Sequence, residues 1–149
     1  MLSTPNLIAR YVVKNFGDLE LSVYREVSLG KTVIGKNRRI DVFVVHEPTQ
    51  RAMAIECKYQ DSQGTVDEKI PYALADMEAL RIPGVIVYAG EGFSQGILHL
   101  LEASRWAACC LPDAATLKQT NETWELDHIL AATFGWWEIV LKGKKALSE

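Results

Sequence analysis

The amino-acid sequence predicts an α/β domain with a mixed four-stranded central sheet flanked by helices and followed by a C-terminal extension. Three observations predict it. Helical spacing opens the chain, three strand-like runs follow in close succession, and a helix–strand–helix stretch comes next. The length of 149 residues suits one domain over 1–149, with a core over about 7–107 and the extension over about 108–149. A chain of this size buries about 68–70% of its unfolded surface, so its core needs no disulfide staple.

Each element has a local cause. Between Asn6 and Phe16, the apolar residues Leu7, Ile8, Tyr11, Val12 and Phe16 recur at helical spacing, and Gly17 stops the run. From Leu19 to Leu29 the pattern alternates: Leu19, Leu21, Val23, Val27 and Leu29 share one face, interrupted only by Arg25. Gly30 to Asn37 is a polar turn region. Arg39 to His46 is β-branched and aromatic, hence a strand. The turn Glu47-Pro48-Thr49-Gln50 leads into a third strand, Ala52 to Gln60, and so short a connection makes an antiparallel hairpin. Thr65 and Glu68 have the spacing of a capping box, so a helix should run to about Leu80, with a kink or restart at Pro71. Gly84 to Ala89 is a buried strand, parallel to its neighbour because a helix crosses over to it. A further helix should run from Gly92-Phe93-Ser94 to about Ala107. Beyond Pro112, Leu126 to Thr133 looks helical, and Trp136 to Leu141 fits either a strand or a helical turn.

Composition narrows the function classes. Hydrophobic residues are 48% and charged residues 23%, an ordinary globular balance. No apolar run approaches the ~18 residues of a membrane span, and the N-terminus shows no basic region followed by an apolar core. Three cysteines, Cys57, Cys109 and Cys110, fit no disulfide framework or zinc spacing. They point to a reducing compartment, and the expected location is cytoplasmic. Gly-rich phosphate loops are absent, so no organic cofactor is expected. The net charge of −3 excludes a generic basic nucleic-acid binder. Residues 1–60 nevertheless hold nine Lys/Arg against six Asp/Glu, and Lys31, Lys36, Arg38 and Arg39 cluster just before Asp41.

The chemistry concentrates on the third strand. Period-two geometry puts Ala54, Glu56, Lys58 and Gln60 on one face and Met53, Ile55, Cys57 and Tyr59 on the other. A carboxylate, an ammonium and an amide aligned within a hydrophobic sheet require partners. Asp41, near the start of the neighbouring strand, joins that face if it pairs with Glu56 or Lys58 and leaves it if it pairs with Cys57. The convergent register is expected. Two adjacent carboxylates repel, and a hard cation relieves them.

Arg39-Ile40-Asp41, fourteen residues, then Glu56-Cys57-Lys58 resembles the PD-(D/E)XK nuclease motif. The α-β-β-β-α-β order resembles the restriction-endonuclease-like core of that superfamily, over roughly residues 7 to 107. The resemblance implies a metal-dependent nuclease that hydrolyses DNA phosphodiester bonds as an endonuclease, with Mg²⁺ or Mn²⁺ as cofactor. It assigns Asp41 and Glu56 as metal ligands with the backbone carbonyl of Cys57, Lys58 as catalytic lysine, and Gln60 as a polar catalytic position. Gly64-Thr65 and Glu68-Lys69 resemble the opening of the following helix in several restriction-enzyme-like members. Ile40 replaces the motif's Pro. Residues 6–16 hold no acid, so the extra helix Glu of many members has no counterpart, and Glu26 is the candidate third metal ligand. DNA would meet Lys31, Lys36, Arg38, Arg39 and Lys69. Cutting both strands of a duplex needs two sites, so a homodimer is expected, through Phe134, Trp136, Trp137, Ile139, Val140 and Leu141. The competing reading is that these residues cover the sheet. The alternative function is a catalytically silent nuclease-like module that binds DNA or a protein partner.

Overall fold

The computed structural model describes residues 3–149. Helix α1 (Thr4–Phe16) starts at Ser3, whose hydroxyl accepts the Asn6 N–H, and buries Ile8, Tyr11, Val12 and Phe16. A 3₁₀ turn (Gly17–Leu19) leads into β1 (Leu21–Lys31), β2 (Asn37–His46) and β3 (Arg51–Tyr59). Then follow α2 (Val66–Ala79), β4 (Gly84–Ala89), α3 (Gln95–Ala103), β5 (Ala107–Cys109), α4 (Trp124–Phe134) and α5 (Trp137–Leu141). The strands form one sheet in the order β1-β2-β3-β4-β5. The first two pairings are antiparallel and the last two parallel, with α2 making the crossover between β3 and β4.

One face of the sheet (Val42, Val44, Met53, Ile55, Val85 and Val87) packs on α1 and α4. The other carries Ile86 and Tyr88 beneath α2 and α3. A buried hydrogen-bond network locks the first layer. The Tyr11 hydroxyl donates to Asp127 Oδ1 (2.5 Å) and the Thr123 hydroxyl to its Oδ2 (3.1 Å), which ties α1 to α4.

The sheet has five strands, one more than the sequence predicts. The added strand falls where the sequence reading passes from the end of a helix, at about Ala107, into the C-terminal extension: α3 stops at Ala103, and Ala107-Ala108-Cys109 pairs with Ile86-Val87-Tyr88. Three residues are too few to show a period. At α2, the Thr65 side chain makes no capping bond; Gln60 Oε1 accepts the Val66 N–H instead (3.0 Å). The helix continues through Pro71 without a break. Pro71 is exposed, so water can reach the carbonyl that the missing N–H leaves free. Trp136 to Leu141 is a helical turn rather than a strand. Phe134 and Trp136 are core residues, Trp136 stacking on Phe16 at 5.8 Å, whereas Trp137, Val140 and Leu141 are exposed.

Candidate active site

The β2–β3 register pairs Val42 with Ile55 and Phe43 with Ala54, so one further step sets Asp41 opposite Glu56. Directly opposed residues point to the same face, and this is the convergent arrangement. The ladder stops there and the two side chains replace it. The Asp41 N–H donates to Glu56 Oε1 (3.0 Å), and the Cys57 N–H donates to Asp41 Oδ2 (2.9 Å). Each carboxylate is thus held by the backbone of the other strand. The second oxygen of each accepts no hydrogen bond among the described residues, yet neither is sealed from solvent. On the far side of β3, the N–H groups of Ala54 and Gln60 serve the β4 edge through Pro83 O and Ala89 O. The Cys57 amide faces β2. Along a strand, the N–H and C=O of one residue leave on the same side, so the Cys57 carbonyl turns toward β2 as well.

Lys58 lies two residues beyond Glu56 on the same face, level with Tyr88 of β4. Its ammonium makes no ion pair among the described residues; the only pairs there are Arg25–Glu26 and Arg38–Asp76. Burial pushes the Glu56 carboxyl up to about 7, and the Asp41 charge pushes the same way. The hydrogen bond from Asp41 and the charge of Lys58 oppose the shift without cancelling it. A second carboxylate that resists ionisation beside a first is a site short of positive charge. On the opposite face, burial and then the Asp41 charge hold the Cys57 thiol neutral.

Two residues that sequence reasoning leaves out brace this arrangement. Arg25 Nε donates to the Asp41 carbonyl (2.8 Å), and its guanidinium also bonds Asn6 on α1. Its signal in the sequence is the break it makes in the apolar stripe of β1. Asp76 on α2 accepts Arg38 Nη2 (2.7 Å) and Nε (2.9 Å), and its Oδ1 also takes the Val33 N–H (3.1 Å). Its signal is an acid on the inward face of a helix, beside Met77.

The remaining expected site residues separate into distinct places. Arg38 is 9% exposed and locked on Asp76, so it is a structural residue rather than a phosphate contact, and the exposed basic set reduces to Lys31, Lys36, Arg39 and Lys69. Gln60 is buried, with both ends of its amide engaged: Oε1 accepts from Val66, and Nε2 donates to Asp67 and to the Gly92 carbonyl. It pins the start of α2 to the loop before α3 instead of entering the site. Glu26 sits level with Asp41 on β1, at a φ of 55°, with its exposed carboxylate 3.9 Å from Arg25. Among the described residues, no three His, Cys, Asp or Glu side chains gather as a metal cluster, so Glu26 is not brought to the pair. The donors brought side by side are the two carboxylates, and the Cys57 carbonyl leaves β3 toward the same neighbouring strand. This all-oxygen set suits a hard divalent cation, which keeps water on its open positions.

A sequence model of the PD-(D/E)XK nuclease superfamily domain matches residues 2–137, reaching well past the core expected from sequence. No curated protein matches the chain. Among solved structures, the protein of unknown function AF1548 is similar at 14% identity and a TM-score of 0.41. That match covers 64% of this chain and 52% of AF1548, so the chain spans about half the length of that structure. With the family match extending over most of its length, the chain belongs to the PD-(D/E)XK nuclease superfamily.

Proposed function

We propose that this protein is a Mg²⁺- or Mn²⁺-dependent endonuclease that hydrolyses phosphodiester bonds in DNA. The observation that carries the reading is the opposition of Asp41 and Glu56 on adjacent strands, with the unpaired ammonium of Lys58 two residues away. Asp41, Glu56 and the Cys57 carbonyl would hold the cation, which when bound polarises a phosphate oxygen and acidifies a water ligand. Lys58 stabilises the negative charge that builds on the phosphate oxygens in the transition state. Its ammonium is available for this because no carboxylate among the described residues pairs with it. Arg25, through the Asp41 carbonyl, keeps β2 in place while substrate binds. The exposed Lys31, Lys36, Arg39 and Lys69 supply the phosphate contacts.

A homodimer through the exposed Trp137, Val140 and Leu141 would supply the second site that a double-strand cut requires. Linear, nicked, flapped and four-way DNA substrates, incubated with Mg²⁺ and with Mn²⁺, test the activity. Cleavage of at least one of them, dependent on the cation, is expected. If none is cut while the protein still binds DNA, the silent binding module is the correct reading instead.

A further inference from the structure

A cleft of about 240 Å³ opens over Glu56 and Lys58, between α2 on one side and the tip of the β1–β2 hairpin on the other. Two large side chains stand on its opposite rims and project into solvent: Tyr72 of α2, 62% exposed, and Ile34 of the hairpin tip, 58% exposed. Single exposed apolar residues are ordinary. An exposed aromatic and an exposed aliphatic lining one cleft with a candidate catalytic carboxylate is a more specific arrangement.

Both rims are fixed in advance. Asp76 reaches from α2 to the Val33 N–H of the tip and grips Arg38 at the base of β2. Thr32 and Lys36 close the tip on each other, Thr32 N to Lys36 O (2.7 Å) and Lys36 N to Thr32 Oγ1 (3.2 Å). The rims therefore need not be ordered when a ligand arrives.

Charge follows the same geometry. Lys36 is on the tip, Lys58 is on the floor, and Lys69 precedes Tyr72 by three residues, on the same face of α2. Asp76 contributes no free negative charge, because Arg38 neutralises it. A ligand that fits has an apolar ring for Tyr72 and anionic groups on either side of that ring. One nucleotide within a strand has this form. In an intact duplex, however, each base has its faces covered by its neighbours. Only an unstacked base can present one to an aromatic side chain.

We infer that this site takes DNA at a nucleotide whose base is unpaired and unstacked, as in a flap, a gap or a single-stranded end, with that base resting on Tyr72. The inference rests on the nuclease reading for the identity of the scissile phosphate.

The test uses the full chain with two DNA substrates of one sequence, an intact duplex and the same duplex interrupted by a short single-stranded gap carrying 2-aminopurine. Cleavage beside the gap should exceed cleavage of the intact duplex at least tenfold. Tyr72→Ala should lower kcat/KM on the gapped substrate by roughly 5- to 150-fold, the range set by loss of one base stack, mainly through KM. Tyr72→Phe should retain most of it. Equal cleavage of the two substrates, or equal losses in the Ala and Phe variants, overturns the inference while leaving the nuclease reading intact. If neither substrate is cut, the nuclease reading passes to the nicked, flapped and four-way substrates, and 2-aminopurine fluorescence decides the inference alone. Quenching by the wild type that is lost in Tyr72→Ala supports base contact; quenching that is absent, or the same in both, overturns it.

Discussion

Glu56 should destabilise the fold that holds it, and replacing it with Gln should strengthen that fold when no metal is present. Its carboxyl is pushed from 4.5 up to about 7, first by burial and then by Asp41. A folded-state pKa above the unfolded one means that the folded protein holds the proton more tightly. The contribution of this one group to stability is therefore full below about pH 4.5 and is lost as pH rises through about 7. An interval of about 2.5 units corresponds to about 3 kcal/mol at pH 8. Glu56→Gln keeps the shape and can still accept the Asp41 N–H, but carries no charge. With EDTA present, urea unfolding should find the variant about 2–3 kcal/mol more stable than the wild type at pH 8 and nearly equal to it at pH 4. At about 2–4 °C per kcal/mol for a chain of this length, the thermal midpoint at pH 8 should rise by about 4–12 °C. Adding Mg²⁺ should stabilise the wild type and leave the variant where it was. A variant less stable than the wild type at pH 8, or a difference that does not change with pH, would refute the electrostatic reasoning.

Lys58→Ala should bind Mn²⁺ in calorimetry as the wild type does yet turn over about 10²–10³ times more slowly, because its charge acts on the transition state; an unaltered rate would make Lys58 a bystander. Asp76→Ala leaves Arg38 buried without its partner and should cost about 3–5 kcal/mol in urea unfolding; a loss below about 1 kcal/mol would show that the pair does not brace α2 against the hairpin. Sedimentation at micromolar concentration should give a dimer that Trp137→Glu splits. A 16.7 kDa monomer would end the dimer proposal.

The patterns that proved legible belong to single elements. Alternation along β3 separates Glu56 and Lys58 from Ile55 and Cys57, because a strand half in contact with each layer must sort its side chains by face. The three-strand meander follows from its short turns. Register was narrowed by the sequence to a choice, and the structure resolves it by setting Val42 against Ile55. What escaped sequence reasoning depends on distant partners. Arg38 reads as one more residue in a basic run, and only the approach of α2, 38 positions on, turns it into a buried ion pair. Gln60 has the position of a catalytic amide, but the close approach of the Gly92 loop engages it. The Thr65 capping signal failed because Thr65 is itself in helical backbone (φ −81°, ψ −7°) rather than the extended conformation of a capping residue, and Gln60 takes the first N–H of the helix, that of Val66. In the C-terminal segment, one apolar run serves two purposes. Gly135 reverses the chain at a φ of 81°, so Trp136 turns inward and Trp137 outward.

The most direct test of a metal-dependent site at Asp41 and Glu56 compares wild type and Asp41→Ala on labelled DNA carrying a single-stranded gap, with Mn²⁺ supplied and with EDTA. Circular dichroism should first show that both proteins are folded alike. Cation-dependent cleavage by the wild type and none by Asp41→Ala is the expected result. Cleavage that survives in Asp41→Ala, or that proceeds undiminished in EDTA, would contradict it.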